Sequence, residues 1–171
     1  LKKFHPMKDY GRLSRVLGID VEWMRDGIAL HQHQYLKDIL TEFGMDKEAS
    51  RREVRSPLPT TWSDTKEVND QGATSKMLTY DEHSLYRRII GRLMYLACGT
   101  RLDVAHAVNR LAQHLSQPHQ EHMEAAKHVL RYLRSSDLLK LRYYRQSRGK
   151  NDDSMLIGYS DAAYANTQGA R

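Results

Sequence analysis

The hydrophobic period of the chain switches between that of strands and that of helices along its length. Between Val16 and Met24 the apolar positions alternate, with Leu17, Ile19, Val21 and Trp23 on one side, the period of a half-buried strand. Asp26-Gly27 follows. Both of its residues accept positive φ, so it predicts a two-residue hairpin turn that returns the chain through Ile28 and Leu30. From about Gln34 the spacing becomes helical: Leu36, Ile39, Leu40 and Phe43 share one face, and Gly44 stands where helices commonly end. The polar stretch from Asp46 to Met77 holds Pro57, Pro59 and Gly72 with little periodicity, which predicts a mobile connector or a linker between subdomains.

Thr79 followed by Glu82 is a capping-box pattern, and it opens the longest helical pattern in the chain. There Leu85, Tyr86, Ile89, Ile90, Leu93, Met94, Leu96 and Ala97 fill one broad apolar arc, while Ser84, Arg87, Arg88, Gly91, Arg92 and Tyr95 fill the opposite one. Thr100 and Asp103 signal the start of a second helix with its ladder at Val104, Val108, Leu111 and Leu115. After Pro118 a third helix turns Met123, Ala126, Leu130 and Leu133 inward. Leu139, Leu141 and Tyr143 then alternate, as do Met155, Ile157 and Tyr159 beyond a loop, and these predict the first strands of a second sheet. The pattern is that of an α+β chain: a hairpin and helix over 1–45, a loop over 46–78, three helices over 79–136 and a strand region over 137–171.

Charge sharpens this picture. The 171 residues carry a net +6, and the stretch from Ser84 to Arg134 holds eight lysines and arginines against three acids, which accounts for +5 of it. Such clustering suits a polyanionic partner. Gly91 lies amid the basic arc, and a mid-helix glycine costs roughly 1 kcal/mol against alanine. Two readings follow: a partner approaches the bare backbone while the arginines meet phosphates and Tyr95 meets a sugar or base edge, or the glycine is tolerated on a solvated face. Lys127, Arg131 and Arg134 form a second basic stripe with the same two readings. The single Cys98 excludes an internal disulfide, fits a reducing compartment, and falls where a small core residue is expected. No apolar run has the length of a membrane span. The chain starts at Leu1 without methionine or a signal-peptide core, as expected of a piece of something longer.

Catalytic signals are sparse. Asp152-Asp153 has no apolar strand leading into it and reads as a polar turn. His31/His33 and His119/His122 lack the spaced cysteines or carboxylates of a zinc site, and surface or capping roles are expected for them. There is no G-x-S-x-G elbow or glycine-rich phosphate loop. Asp161 ends an apolar strand beside small residues, which suits either a metal-binding acid or a strand-end turn.

Several short segments, in order, resemble one family. They are Met7-Lys8-Asp9-Tyr10-Gly11, Leu17-Gly18-Ile19, Gln34-Tyr35-Leu36, Tyr86-Arg87 with Ile90-Gly91 and Leu93-Met94-Tyr95-Leu96, Thr100-Arg101 with Asp103, Leu130-Arg131-Tyr132-Leu133 and Tyr159-Ser160-Asp161-Ala162. Together they resemble the C-terminal part of the reverse transcriptase of Ty1/copia-type LTR retrotransposons, running into the start of RNase H. The resemblance implies a primer-grip-like hairpin at Leu17-Gly18, a helical thumb and connection, and a C-terminal hairpin beginning an incomplete RNase H-like sheet. It assigns template–primer or RNA–DNA hybrid contacts to Leu17, Gly18, Arg87, Arg88, Gly91, Arg92, Tyr95, Lys127, Arg131 and Arg134. It makes Asp161 the first RNase H carboxylate and a ligand of Mg²⁺ in the parent enzyme; no cofactor is expected for this stretch alone.

Departures accompany the match. The Tyr-x-Asp-Asp pair of the polymerase site occurs nowhere in the chain, Leu102 stands where the family usually has proline, and Ala163 and Tyr164 stand where many members have Asp and Trp. The expectation is therefore a template–primer-binding part of a retrotransposon Pol polyprotein that catalyses nothing by itself. It would work within the rest of that polyprotein, away from membranes, in a cytoplasmic particle and the nucleus. Alternatives are a stand-alone basic nucleic-acid-binding module derived from such an element, or a relic.

Overall fold

The computed structural model describes residues 11–46, 54–60, 62 and 76–145. Strands β1 (Arg15–Val16), β2 (Ile19–Trp23) and β3 (Gly27–His31) lead into helix α1 (His33–Glu42). Helix α2 (Tyr80–Gly99) follows the connector. A 3₁₀ turn at Leu102–Val104 opens α3 (Ala105–Ala112), then come α4 (Gln120–Ser135) and β4 (Leu141–Tyr144). The strands form one antiparallel sheet in the order β1-β2-β3-β4. Helices and an antiparallel sheet together make the α+β class expected.

The helical periods are obeyed closely. Leu36, Ile39 and Leu40 of α1 join Tyr86, Ile89, Ile90, Leu93, Leu96 and Ala97 of α2 in one core with α3 and α4. Leu85 and Met94, at the margins of the α2 arc, stay partly exposed, and Cys98 is exposed rather than buried in the core. The Thr79 capping box forms: the Glu82 N–H donates to Thr79 Oγ1 at 3.4 Å and the Thr79 N–H to Glu82 Oε2 at 2.9 Å. Helix α1 ends as read, with Gly44 at φ +69° and the Gly44 and Met45 N–H groups closing onto Thr41 and Leu40, the Schellman pattern. Tyr86 is wholly buried and donates to the Leu111 carbonyl at 2.7 Å; burial pushes its phenol well above the ordinary range.

Besides Cys98, four expectations need correction. Leu17 does not share a strand face with Ile19, because Leu17 (φ +48°) and Gly18 (φ +74°) form a turn of their own between β1 and β2. A two-residue turn with both φ positive matches the twist of the strands it joins, and alternation alone cannot reveal it. The second turn is displaced by one residue. Trp23 pairs with Ile28 and the Met24 N–H bonds the Gly27 carbonyl, so Arg25 and Asp26 turn the chain and Gly27 begins β3. Gly27 is there for space: a Cβ on it would lie 2.0 Å from the Tyr143 carbonyl oxygen.

Tyr143 belongs to β4, and here lies the third correction. The strand expected to begin a second sheet pairs with β3 and completes the first, with Ile28 opposite Tyr143 and Leu30 opposite Leu141. The period of two shows that a strand is half-buried, not which edge it joins. Fourth, the described part of the connector is docked. The Val54 N–H reaches Ser135 Oγ, the Ser56 carbonyl meets His128 Nε2 at 3.0 Å, and Leu58 and Trp62 pack on the core.

Candidate functional site

Gly91 lies on the solvent side of α2, and a Cβ built there meets nothing within 4 Å. No neighbour among the described residues requires the glycine. An open groove beside it is lined by Arg87, Ile90, Met94, Leu115 and Ser116. Arg87 is exposed and donates from Nε to the Leu115 carbonyl at 3.3 Å.

Arg88 and Arg92 are both half-exposed and share one acceptor. Arg88 Nη2 lies 2.6 Å from Glu42 Oε1, and Arg92 Nη2 lies 3.1 Å from Glu42 Oε2. Arg92 also stands over the Tyr35 ring at 5.8 Å; hydrogen bonding to Tyr35 and the charge of Glu42 raise its pKa further. One carboxylate between two guanidiniums leaves a net positive charge on this face, with Arg87 adding to it. Glu42 was not singled out in the sequence, because it ends α1 and meets α2 only in the fold.

Tyr95, exposed on the same helix, also makes contacts within the chain. Its hydroxyl donates to the Leu17 carbonyl at 2.6 Å, and its ring stands edge-on to Tyr35 with centroids 4.8 Å apart. Gly18 sits directly against the same hydroxyl, where a Cβ would come within 2.6 Å of it. Tyr95 therefore fastens the Leu17–Gly18 turn to α2. Leu17 is 86% exposed at the tip of that turn, so the turn and the Gly91 face adjoin on one surface. Two sequence segments far apart in the chain are brought together.

The α4 stripe is anchored elsewhere. Lys127 Nζ lies 2.8 Å from Glu124 Oε1, Arg131 Nη2 lies 3.9 Å from Glu124 Oε2, and Arg134 Nη1 donates to the Met45 carbonyl at 2.8 Å. All three side chains are partly buried rather than projecting freely.

Two of the segments that carry the resemblance meet in a structural network. Arg101, 3% exposed, holds Asp103 with two hydrogen bonds at 3.0 and 2.8 Å and donates to the Ser136 carbonyl and hydroxyl, while Tyr132 donates to Asp103 Oδ2 at 2.9 Å. Burial pulls the Asp103 pKa upward, but the Arg101 hydrogen bonds and charge, with Tyr132, outweigh it and hold the carboxyl below its usual range. This clamp ties the end of α4 to the start of the 3₁₀ turn. His122 likewise has a capping role: its Nδ1 accepts the His119 N–H at 2.9 Å.

Among the described residues no group of three or more His, Cys, Asp or Glu is placed to hold a metal, and no helix is long and apolar enough to cross a membrane. Asp161, with Asp152 and Asp153, lies outside the described residues.

The sequence is 34% identical over 165 residues to the Retrovirus-related Pol polyprotein from transposon RE1 of Arabidopsis thaliana, covering 93% of this chain and 10% of that protein. It is 32% identical over 178 residues to the Retrovirus-related Pol polyprotein from transposon TNT 1-94 of Nicotiana tabacum, covering 96% and 12%. The chain belongs to the Ty1/copia-type retrotransposon Pol family. It spans about a tenth of the length of the curated Pol polyproteins it matches. An uncharacterized mitochondrial protein of Arabidopsis thaliana is 31% identical over 142 residues, 83% of this chain and 54% of that protein. No family model and no solved structure matches the chain.

Proposed function

We propose that this stretch of Pol holds a template–primer or RNA–DNA hybrid duplex within the reverse transcriptase–RNase H region. The duplex lies across the Gly91 face of α2 and the adjoining Leu17–Gly18 turn. The observation that carries the reading is the Tyr95–Leu17 hydrogen bond. It joins an exposed, side-chain-free spot ringed by arginines to a projecting turn on the same surface. Arg87, Arg88 and Arg92 supply phosphate contacts, and the bare backbone at Gly91 allows a groove edge to approach. Contacts of this kind read the backbone, not the bases, so binding is steeply salt-dependent and indifferent to sequence. Lys127, Arg131 and Arg134 contribute charge at longer range, because Glu124 and Met45 already engage them.

Asp161 is read as the first RNase H carboxylate and a Mg²⁺ ligand of the assembled polyprotein. With no Tyr-x-Asp-Asp pair in its 171 residues, the chain alone is read as unable to polymerise nucleotides, and a single candidate carboxylate, Asp161, cannot by itself hold the two metals of an RNA-cleaving site. The test is fluorescence anisotropy with a labelled RNA–DNA hybrid at low salt. Arg87→Glu combined with Arg88→Glu should weaken binding at least about tenfold, and unchanged affinity would sink the reading. A second reading, a free-standing nucleic-acid-binding module, draws on the match to about half of a much shorter mitochondrial protein. It predicts tighter binding to one duplex DNA sequence than to any hybrid.

A further inference from the structure

The four-stranded sheet carries a second surface that shares no residue with the α2 face. The ladder sets Trp23 opposite Ile28 and Ile28 opposite Tyr143. Residues directly opposite one another project from the same side of a sheet, so these three form a row across β2, β3 and β4. With strands about 4.8 Å apart, the two aromatic rings flank Ile28 across roughly 10 Å. Trp23 is 49% exposed, Tyr143 53% and Tyr144 60%. A groove runs along them, lined also by Arg12, Arg25 and Arg145 and, among the described residues, by no carboxylate.

The groove is braced rather than loose. The Trp23 indole N–H donates to the Leu13 carbonyl at 2.7 Å, which fixes the ring by its edge, and the Arg12 guanidinium lies 5.0 Å from the ring centre. The Arg145 N–H bonds the Asp26 carbonyl at 2.6 Å, which holds Arg145 beside the turn that carries Arg25.

We propose that this groove binds single-stranded nucleic acid, with bases stacked on Tyr143 and Trp23, which share one side of the sheet, and phosphates met by Arg12, Arg25 and Arg145. Exposed aromatic rings offer a π-face to any base, and guanidiniums beside them neutralise the backbone, the combination that sequence-tolerant single-strand binding needs. Charge complementarity selects this occupant. Three arginines without an acid repel a second copy of the same surface, and an acidic peptide would leave the row of rings unused.

The proposal is independent of the duplex reading, and one set of titrations separates them. Anisotropy of the full chain with labelled oligo(dT), oligo(U) and an RNA–DNA hybrid is compared for wild type, Arg25→Glu with Arg145→Glu, Tyr143→Ala, and Arg88→Glu. The groove variants should lower single-strand affinity, by about fivefold for Tyr143→Ala and at least about tenfold for the arginine pair, with hybrid binding nearly unchanged. Arg88→Glu should do the reverse. Should Tyr143→Ala disturb the sheet, a Trp62→Phe chain leaves Trp23 as the reporter, and oligo(dT) should quench its emission more strongly than abasic deoxyribose-phosphate does. Equal quenching by the abasic strand, full competition by polyglutamate, or single-strand affinity indifferent to the groove variants would overturn the proposal. So would gel filtration showing that those variants act by splitting a dimer.

Discussion

Replacing Gly91 with alanine should move stability and nucleic-acid affinity in opposite directions. The new methyl meets none of the described residues within 4 Å, so the helix gains the full alanine preference, about 1 kcal/mol, with no clash from them to offset it. For a chain of this size that raises Tm by roughly 3 °C. The same methyl occupies the spot where a groove edge would touch the helix. Crowding a close contact by one methyl costs about 1 kcal/mol or more, which is roughly a fivefold loss of affinity. Thermal unfolding followed by circular dichroism and anisotropy with an RNA–DNA hybrid read the two effects separately. A higher Tm with unchanged affinity would refute the reasoning and make the glycine an ordinary tolerated one. A lower Tm would mean that the helix face is not open.

Glu42→Gln should tighten hybrid binding, since it frees Arg88 and Arg92 from their shared carboxylate, and should steepen the salt dependence by about 0.9 in slope; unchanged affinity would place both arginines outside the interface. Gly27→Ala sets a Cβ against the β4 backbone, so it should cost about 2 kcal/mol or more in urea unfolding and expose the Ile28 and Tyr143 amides to exchange. Burial, with smaller effects from the neighbouring His114 and His119, holds His122 down at about 4 against an ordinary 6.5. The folded chain thus keeps His122 neutral where the unfolded chain protonates it. Stability should be full above pH 6.5 and fall by roughly 3 kcal/mol as pH drops to 4. His122→Gln, which keeps an acceptor for the His119 N–H, should flatten that slope in a pH series of melting curves.

Helix positions were legible because a period of 3.6 over twenty residues leaves little freedom: six of the eight α2 positions assigned to the core are buried, and the Thr79 box and Gly44 cap form where their residue types require. Strand pairing was not legible, since alternation names a face and not a partner; β4 could be placed only once β3 offered an edge. Gly27 shows the same limit. In the sequence it looks like a turn residue, and its real constraint is a backbone far along the chain. The candidate site was half visible. The basic face and its bare centre follow from a helical wheel, but Glu42 and the Tyr95–Leu17 link are contacts between distant segments.

The most direct test is an NMR titration of the wild-type chain with an RNA–DNA hybrid, following the glycine amides in ¹⁵N spectra. Gly91 and Gly18 should shift together with one dissociation constant, while Gly27, on the far end of the sheet, stays still. Saturation of binding with Gly91 and Gly18 unmoved would contradict the account.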